Sequence, residues 1–266
     1  MIQFNVFPGG LRRIVTFSYD DGPANDPRLV ALFNKYGVKG TFHLNSRKYI
    51  GMTEDELDVI RDTYKGHEIS CHTVHHGFLN RMLPISIVNE VVEDRRLLEH
   101  IAGYPVVGMS YPYGTYDDKV IGILRSCGIV YSRTTGKDSH PSELPKDFLE
   151  WHPTCHHKDV GQYIDSFIKN ISVSYRGPIF YIWGHSYEFD TEEKWAEFEE
   201  HIARLAEHKD KIWFATNIEI YNYVKAQYSL VVSADENIIH NPSAIDVWVN
   251  KDGENVMIPA GETVRL

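Results

Sequence analysis

The chain has 266 residues, of which 42% are hydrophobic and 24% charged. These are globular proportions, with length for one large domain or two small ones. Its 27 Lys and Arg against 37 Asp and Glu leave a net charge of −10, which excludes the clustered cations of a nucleic-acid surface. The three cysteines, Cys71, Cys127 and Cys155, lack Cys-x-x-Cys spacing, so a disulfide framework or a structural zinc knuckle is excluded. No apolar run reaches the ~20 residues of a membrane span. Residues 1–10 lack the basic-then-apolar pattern of a secretion signal, so the expected location is the cytoplasm, with no membrane partner.

In chain order, residues 13–19 (RIVTFSY) are β-branched and aromatic and predict a buried strand, stopped by Asp20-Asp21-Gly22-Pro23. A helix is expected over 27–36 with Asp26 as N-cap, a strand over 39–44, a helix opened by Thr53 to about 64, and a short strand over 67–72. A long helix should run over 86–102 and stop at Gly103. Strands near 106–111 and 129–134 bracket a helix at 116–126. The segment 135–158, with Gly136, Pro141, Pro145 and Pro153, reads as a loop. Helices at 160–174, 191–208 and 217–227 alternate with strands at 178–184 and 212–215. The alternation predicts an α/β fold, a distorted (β/α)7-type barrel. Residues 1–227 are expected to form it, and 228–266, with short β-prone runs between turns, a small β appendage packed on it.

In a parallel β/α fold, sites gather at the C-terminal ends of strands. Asp20 and Asp21, His72 to His76, Tyr113 and Gly114, and Gly184 and His185 all fall at such ends. His72 and His76 are spaced i, i+4, which on a helical turn places two imidazoles about 5–6 Å apart. With one carboxylate they form a donor set for a divalent ion such as zinc. His75 leaves the register open, and with 14 histidines in the chain the spacing alone is weak. Adjacent aspartates on a strand point to opposite faces; at a strand end both can reach one site, one as ligand and one as base. His152, His156 and His157 suggest a second metal cluster, but a solvated loop is the preferred reading.

Together the motifs resemble the polysaccharide deacetylase (NodB-homology) family, carbohydrate esterase family four. The resemblance rests on Ser18-Tyr19-Asp20-Asp21-Gly22, His72-Thr73-Val74-His75-His76, Ser110-Tyr111-Pro112-Tyr113-Gly114 and Ile182-Trp183-Gly184-His185, in family order over about residues 12–225. It implies a metal-dependent hydrolase that removes acetyl groups from N- or O-acetylated saccharides. Asp20 would be the base, His185 the acid, and Asp21, His72 and His76 the ligands of a divalent ion, zinc first, with cobalt, manganese or nickel as alternatives. Tyr113 and Pro112 would lie at the oxyanion and substrate. Two motifs depart from the family. Ser110 stands where the family has Arg, for which Arg133 on the next strand is a substitute that orients the base. Glu150-Trp151 replaces an Asp-Trp pair, with Trp151 either a wall of the sugar pocket or a core residue. The alternatives are a hydrolase of a small non-sugar amide or cyclic imide, and an inactive carbohydrate-binding protein.

Overall fold

The computed structural model describes residues 1–22, 25–136, 142–173 and 177–266. Pro23 and Pro141, both placed in turns by the sequence reading, lie outside them. The elements are β1 (Ile2–Gln3), β2 (Arg13–Asp20), α1 (Asp26–Tyr36), β3 (Gly40–Leu44), α2 (Glu54–Thr63), β4 (Glu68–Cys71), α3 (Pro84–Ala102), β5 (Gly108–Ser110), α4 (Asp118–Ser126), β6 (Tyr131–Arg133) and β7 (Cys155–His156). Then follow α5 (Val160–Lys169), β8 (Ile179–His185), α6 (Glu192–Ala206), β9 (Ile212–Phe214), α7 (Asn217–Ser229), β10 (Val231–Val232), β11 (Ile238–His240), β12 (Val247–Lys251), β13 (Glu254–Ile258) and β14 (Thr263–Arg265).

Every residue of β2 is buried, as expected of a parallel strand covered on both faces. It lies at the centre of the sheet, parallel to β3 and β8, with β9 paired to its first residues. The strand order is β6-β5-β4-β3-β2-β8-β7. The parallel sheet curls into an open half-barrel with helices outside, the distorted barrel class that the alternation predicts. The stretch from Trp151 to His156 reaches both edges: Trp151 bridges to Arg133 on β6, and β7 pairs with β8. This corrects the reading of 135–158 as a loop from residue 148 onward; residues 137–141 lie outside the described residues, and 142–147 carry no helix or strand. Phe148, Leu149, Trp151 and Cys155 are buried, and burial of four apolar side chains outweighs the turn-forming prolines and glycine around them.

Aromatic rings fill the layer between β2 and the helices, among them Phe17, Tyr19, Phe33, Phe42 and Phe198. Phe17 and Phe33 pack at a tilt with centroids 4.9 Å apart. Thr53 and Glu56 close a capping box on α2. Asp26 is a correction: it lies inside α1, with Asn25 as N-cap. Its buried carboxylate accepts from Tyr64 Oη at 2.7 Å and Ser186 Oγ at 2.5 Å, a tertiary tie that sequence reads as a cap. Helix α5 stops at Lys169, short of the expected 174.

Beyond α7 the strands form two three-stranded antiparallel sheets, β1-β12-β13 and β10-β11-β14. The N-terminal strand thus pairs with the C-terminal segment. Phe7, Tyr223 and Val247 share a buried cluster with Ile14 and Tyr181 of the barrel, and Trp248 N donates to Tyr223 Oη at 2.9 Å. Among the described residues no helix is long and apolar enough to cross a membrane.

Candidate active site

Asp20 ends β2, and the chain turns at Asp21, whose φ is 76°. That left-handed residue cancels the strand alternation, so both aspartates reach the same mouth. A second sharp turn follows β4. Residues 72–76 are not helical, contrary to the i, i+4 reading; Thr73 and His76 have φ of 65° and 54°. The His76 N–H donates to Thr73 Oγ1 at 3.0 Å, closing a turn that folds His76 back beside His72, ring centroids 4.7 Å apart. A β-branched residue at positive φ costs on the order of 1–3 kcal/mol, a cost that accumulates at functional sites. Asp21, Thr73, His76 and Tyr113 are four of the six non-glycine positive-φ residues among those described.

Asp21 Oδ1 lies 3.7 Å from Nε2 of both His72 and His76. The three ligand atoms all fall within 4.8 Å of one another. His75 is held away from them, its Nδ1 2.7 Å from Glu90. His72 Nδ1 lies 2.9 Å from the Ser110 carbonyl; a carbonyl only accepts, so Nδ1 carries the proton and Nε2 keeps its lone pair toward Asp21. Asp94 Oδ2 accepts from the His72 N–H and Oδ1 from the Ser46 N–H, bracing the ligand's backbone from α3. Two imidazole nitrogens and a carboxylate, gathered within 4.8 Å and with one tautomer fixed, fit a divalent ion with open positions.

Asp20 is buried beside this triad. Its Oδ1 accepts from Ser110 Oγ at 3.0 Å, and its Oδ2 forms an ion pair with Arg133. The Arg133 guanidinium lies 4.4 Å over the Trp183 ring. Burial works to raise the Asp20 pKa, but the charge of Arg133, then of His72, His43 and His185, outweighs it and holds the carboxyl well below the usual range. His185, at the end of β8, points Nε2 toward Asp21 Oδ2 at 3.9 Å. Its Nδ1 lies 3.2 Å from Glu188 Oε2, and its backbone N–H donates to the same oxygen at 3.1 Å. Burial works to lower the His185 pKa; the Glu188 hydrogen bond and the charge of Asp20 reverse this and raise it.

Tyr113 and Pro112 lie in the turn after β5, with Pro112 buried and Tyr113 55% exposed. Tyr113 packs against His76, and stacks on Phe78 with centroids 4.0 Å apart. Tyr187 is 50% exposed and stacks on His185. Trp151 is not at this mouth. It is 1% exposed and packs against Tyr131, Phe148 and Tyr181, so the core reading describes it. Glu150 is exposed at the surface.

Three contributors had no supporting role in the sequence reading. Ser110 counts there only as a missing Arg, yet it touches both Asp20 and His72. Asp94 shares the stripe Ile87, Val91, Leu98 and Ile101, all buried; a carboxylate on an apolar face is a signal that was available. Glu188 lies three residues after His185, within reach only because the strand ends in a helical turn.

The fold and site define an α/β chain with a curled parallel sheet and a His-His-Asp cluster at its mouth. Residues 10–132 match the family described as polysaccharide deacetylase. Among curated proteins, a chitin deacetylase of Arthroderma benhamiae is 35% identical over 109 residues, 40% of this chain and 29% of that protein. A peptidoglycan-N-acetylglucosamine deacetylase of Bacillus cereus is 30% identical over 112 residues, 41% of this chain and 39% of that one. The chain thus spans well under half the length of these relatives. A Mycobacterium smegmatis structure assigned to the polysaccharide deacetylases covers 86% of this chain and 96% of its own, with a TM-score of 0.66 at 19% identity. A family-four pseudoenzyme of Bacillus anthracis covers 78% and 64%, with a TM-score of 0.53 at 18% identity. The likeness to these two structures shows the fold.

Proposed function

We propose that the chain is a metal-dependent hydrolase that removes acetyl groups from N- or O-acetylated saccharides. The observation that carries this reading is the arrangement of Asp20 and His185 around the Asp21–His72–His76 triad. Those three residues would hold a divalent ion, zinc first and cobalt, manganese or nickel otherwise, which lowers the pKa of water toward neutrality and polarises a carbonyl.

Asp20 takes the proton from the attacking water. Its low pKa keeps it ionised across the neutral range, and Ser110 and Arg133 fix the direction of its lone pairs. Arg133 is the base-orienting residue in place of the family's motif-three Arg. The backbone N–H of Tyr113 is the oxyanion donor, a contribution of about 2.7–4 kcal/mol in comparable sites. His185, with Nδ1 fixed on Glu188, delivers a proton from Nε2 to the departing amine or alcohol. The exposed rings of Tyr113, Phe78 and Tyr187 offer flat apolar faces at the mouth, where an exposed aromatic is informative. They match the faces of a pyranose ring and favour a saccharide over a small imide. Residues 1–227 are the catalytic unit in this reading, and 228–266 an extension docked on it.

The test is acetate release from acetylated xylo-oligosaccharides, chito-oligosaccharides and N-acetylglucosamine, with a cyclic imide alongside. We expect release from at least one saccharide, its loss on chelation and its return on adding metal. Hydrolysis of the imide alone would transfer the reading to a non-sugar amide. No turnover by fully metal-loaded protein would favour a binding protein.

A further inference from the structure

His156, His157 and Glu188 form a second cluster on the far side of His185 from the first triad. The sequence reading of a solvated loop fails here. His156 ends β7, His157 opens the following helical turn and is buried, and the change of backbone brings both rings to the same side. Glu188 Oε2 lies 2.9 Å from His156 Nε2 and 3.7 Å from His157 Nε2. The edge of a tetrahedral zinc site is roughly 3.3 Å given the usual metal–nitrogen distance. The two separations fall on either side of that value, while the 3.7 Å separations of the first triad both lie above it.

The fold makes room for this cluster. A Cβ on Gly184 would come within 2.1 Å of His157 Nδ1, so the ring sits where only glycine on β8 permits. That Nδ1 is buried and has no hydrogen-bond partner. The three residues face a cavity of about 220 Å³ that also borders Lys194, Glu197 and His201. The cavity also borders Lys158; Lys194 is paired with Asp190 at 2.8 Å, and Glu188 and Glu197 set two carboxylates against the two lysines. The second triad is built less fully than the first: His72 Nδ1 has a carbonyl partner and His157 Nδ1 has none, and His156 Nδ1 accepts from the Lys158 N–H at 3.4 Å, which leaves on Nε2 a proton that an ion must displace.

We propose that His156, His157 and Glu188 form a second divalent-cation site, weaker than the first. Glu188 Oε2 also receives Nδ1 and the N–H of His185. An ion at this site therefore competes for the oxygen that orients His185. This link, which rests on the proposed function, makes excess metal an inhibitor.

The experiment is Co²⁺ titration of metal-free full-length protein, followed by equilibrium dialysis with metal analysis and by visible absorption. Wild type should take up two equivalents, and His156→Ala, Glu188→Gln and His157→Gln each one. His76→Ala should lose the tighter equivalent and keep the weaker. A single equivalent in wild type overturns the proposal, as does a second equivalent that survives both His156→Ala and Glu188→Gln in proteins with native circular dichroism. The readout needs no catalysis, so an inactive protein tests the site equally well. Full turnover at two bound equivalents would overturn the link to His185, while the stoichiometry alone decides the site.

Discussion

At the level of single residues, a buried ion pair holds the proposed base. Asp20 and Arg133 are almost wholly removed from water, where an unpaired charge is costly. Replacing Arg133 with Met should destabilise the protein by about 3–5 kcal/mol and reduce kcat by about a hundredfold through misorientation of the base. Pairing Arg133→Met with Asp20→Asn should recover part of the stability, because neither charge is then left alone, without recovering turnover. Denaturant unfolding and steady-state kinetics of the two single variants and the double variant check this. Unchanged turnover in Arg133→Met would remove Arg133 from the site. That residue was legible in the sequence as a cation on the strand after the departed motif. Ser110 was not, because a serine in place of an arginine reads as a loss, whereas its hydroxyl and carbonyl fix Asp20 and His72.

At the scale of elements, the turns after β2 and β4 make the site, and helix α3 holds one of them. Asp94 takes the backbone N–H groups of His72 and Ser46, and burial, opposed by those bonds, pushes its pKa up to about 7. An Asp94→Leu variant orphans both donors. We expect a loss of about 1–3 kcal/mol per orphaned group and a 10–100-fold weaker metal affinity, as for other supporting partners of ligands. Melting and metal titration measure the two effects; unchanged affinity would reduce Asp94 to a structural role. The parallel strands were easy to read, since strands buried on both faces are nearly continuous apolar runs. The turn at 72–76 was not. Its spacing imitates a helical face, and the left-handed conformations of Thr73 and His76 have no signature in residue type. The stretch 148–157 was hidden by Pro153 and its three histidines, which signal a loop until its pairing with β6 and β8 is seen.

At the scale of the whole molecule, Glu68 joins distant parts of the barrel. It accepts from Thr41 on β3, Tyr131 on β6 and the Ile218 N–H of α7. Burial, opposed by these bonds, raises its pKa to about 7, above an unfolded value of about 4.3. The native state therefore holds this proton more tightly. The stability it contributes is complete below the unfolded pKa and is lost as pH rises through about 7. Glu68→Gln should remove that slope, so the melting temperature of the variant relative to wild type should rise between about pH 4.5 and 7.5. A difference independent of pH would contradict it. In the proposed function the converging strand ends act together as a deacetylase, and Asp20→Asn removes the base alone. We predict that metal-loaded wild type releases acetate from an acetylated oligosaccharide, and that Asp20→Asn, folded and binding metal, is slower by about 10²–10⁴-fold. Equal release by the two proteins would contradict the account.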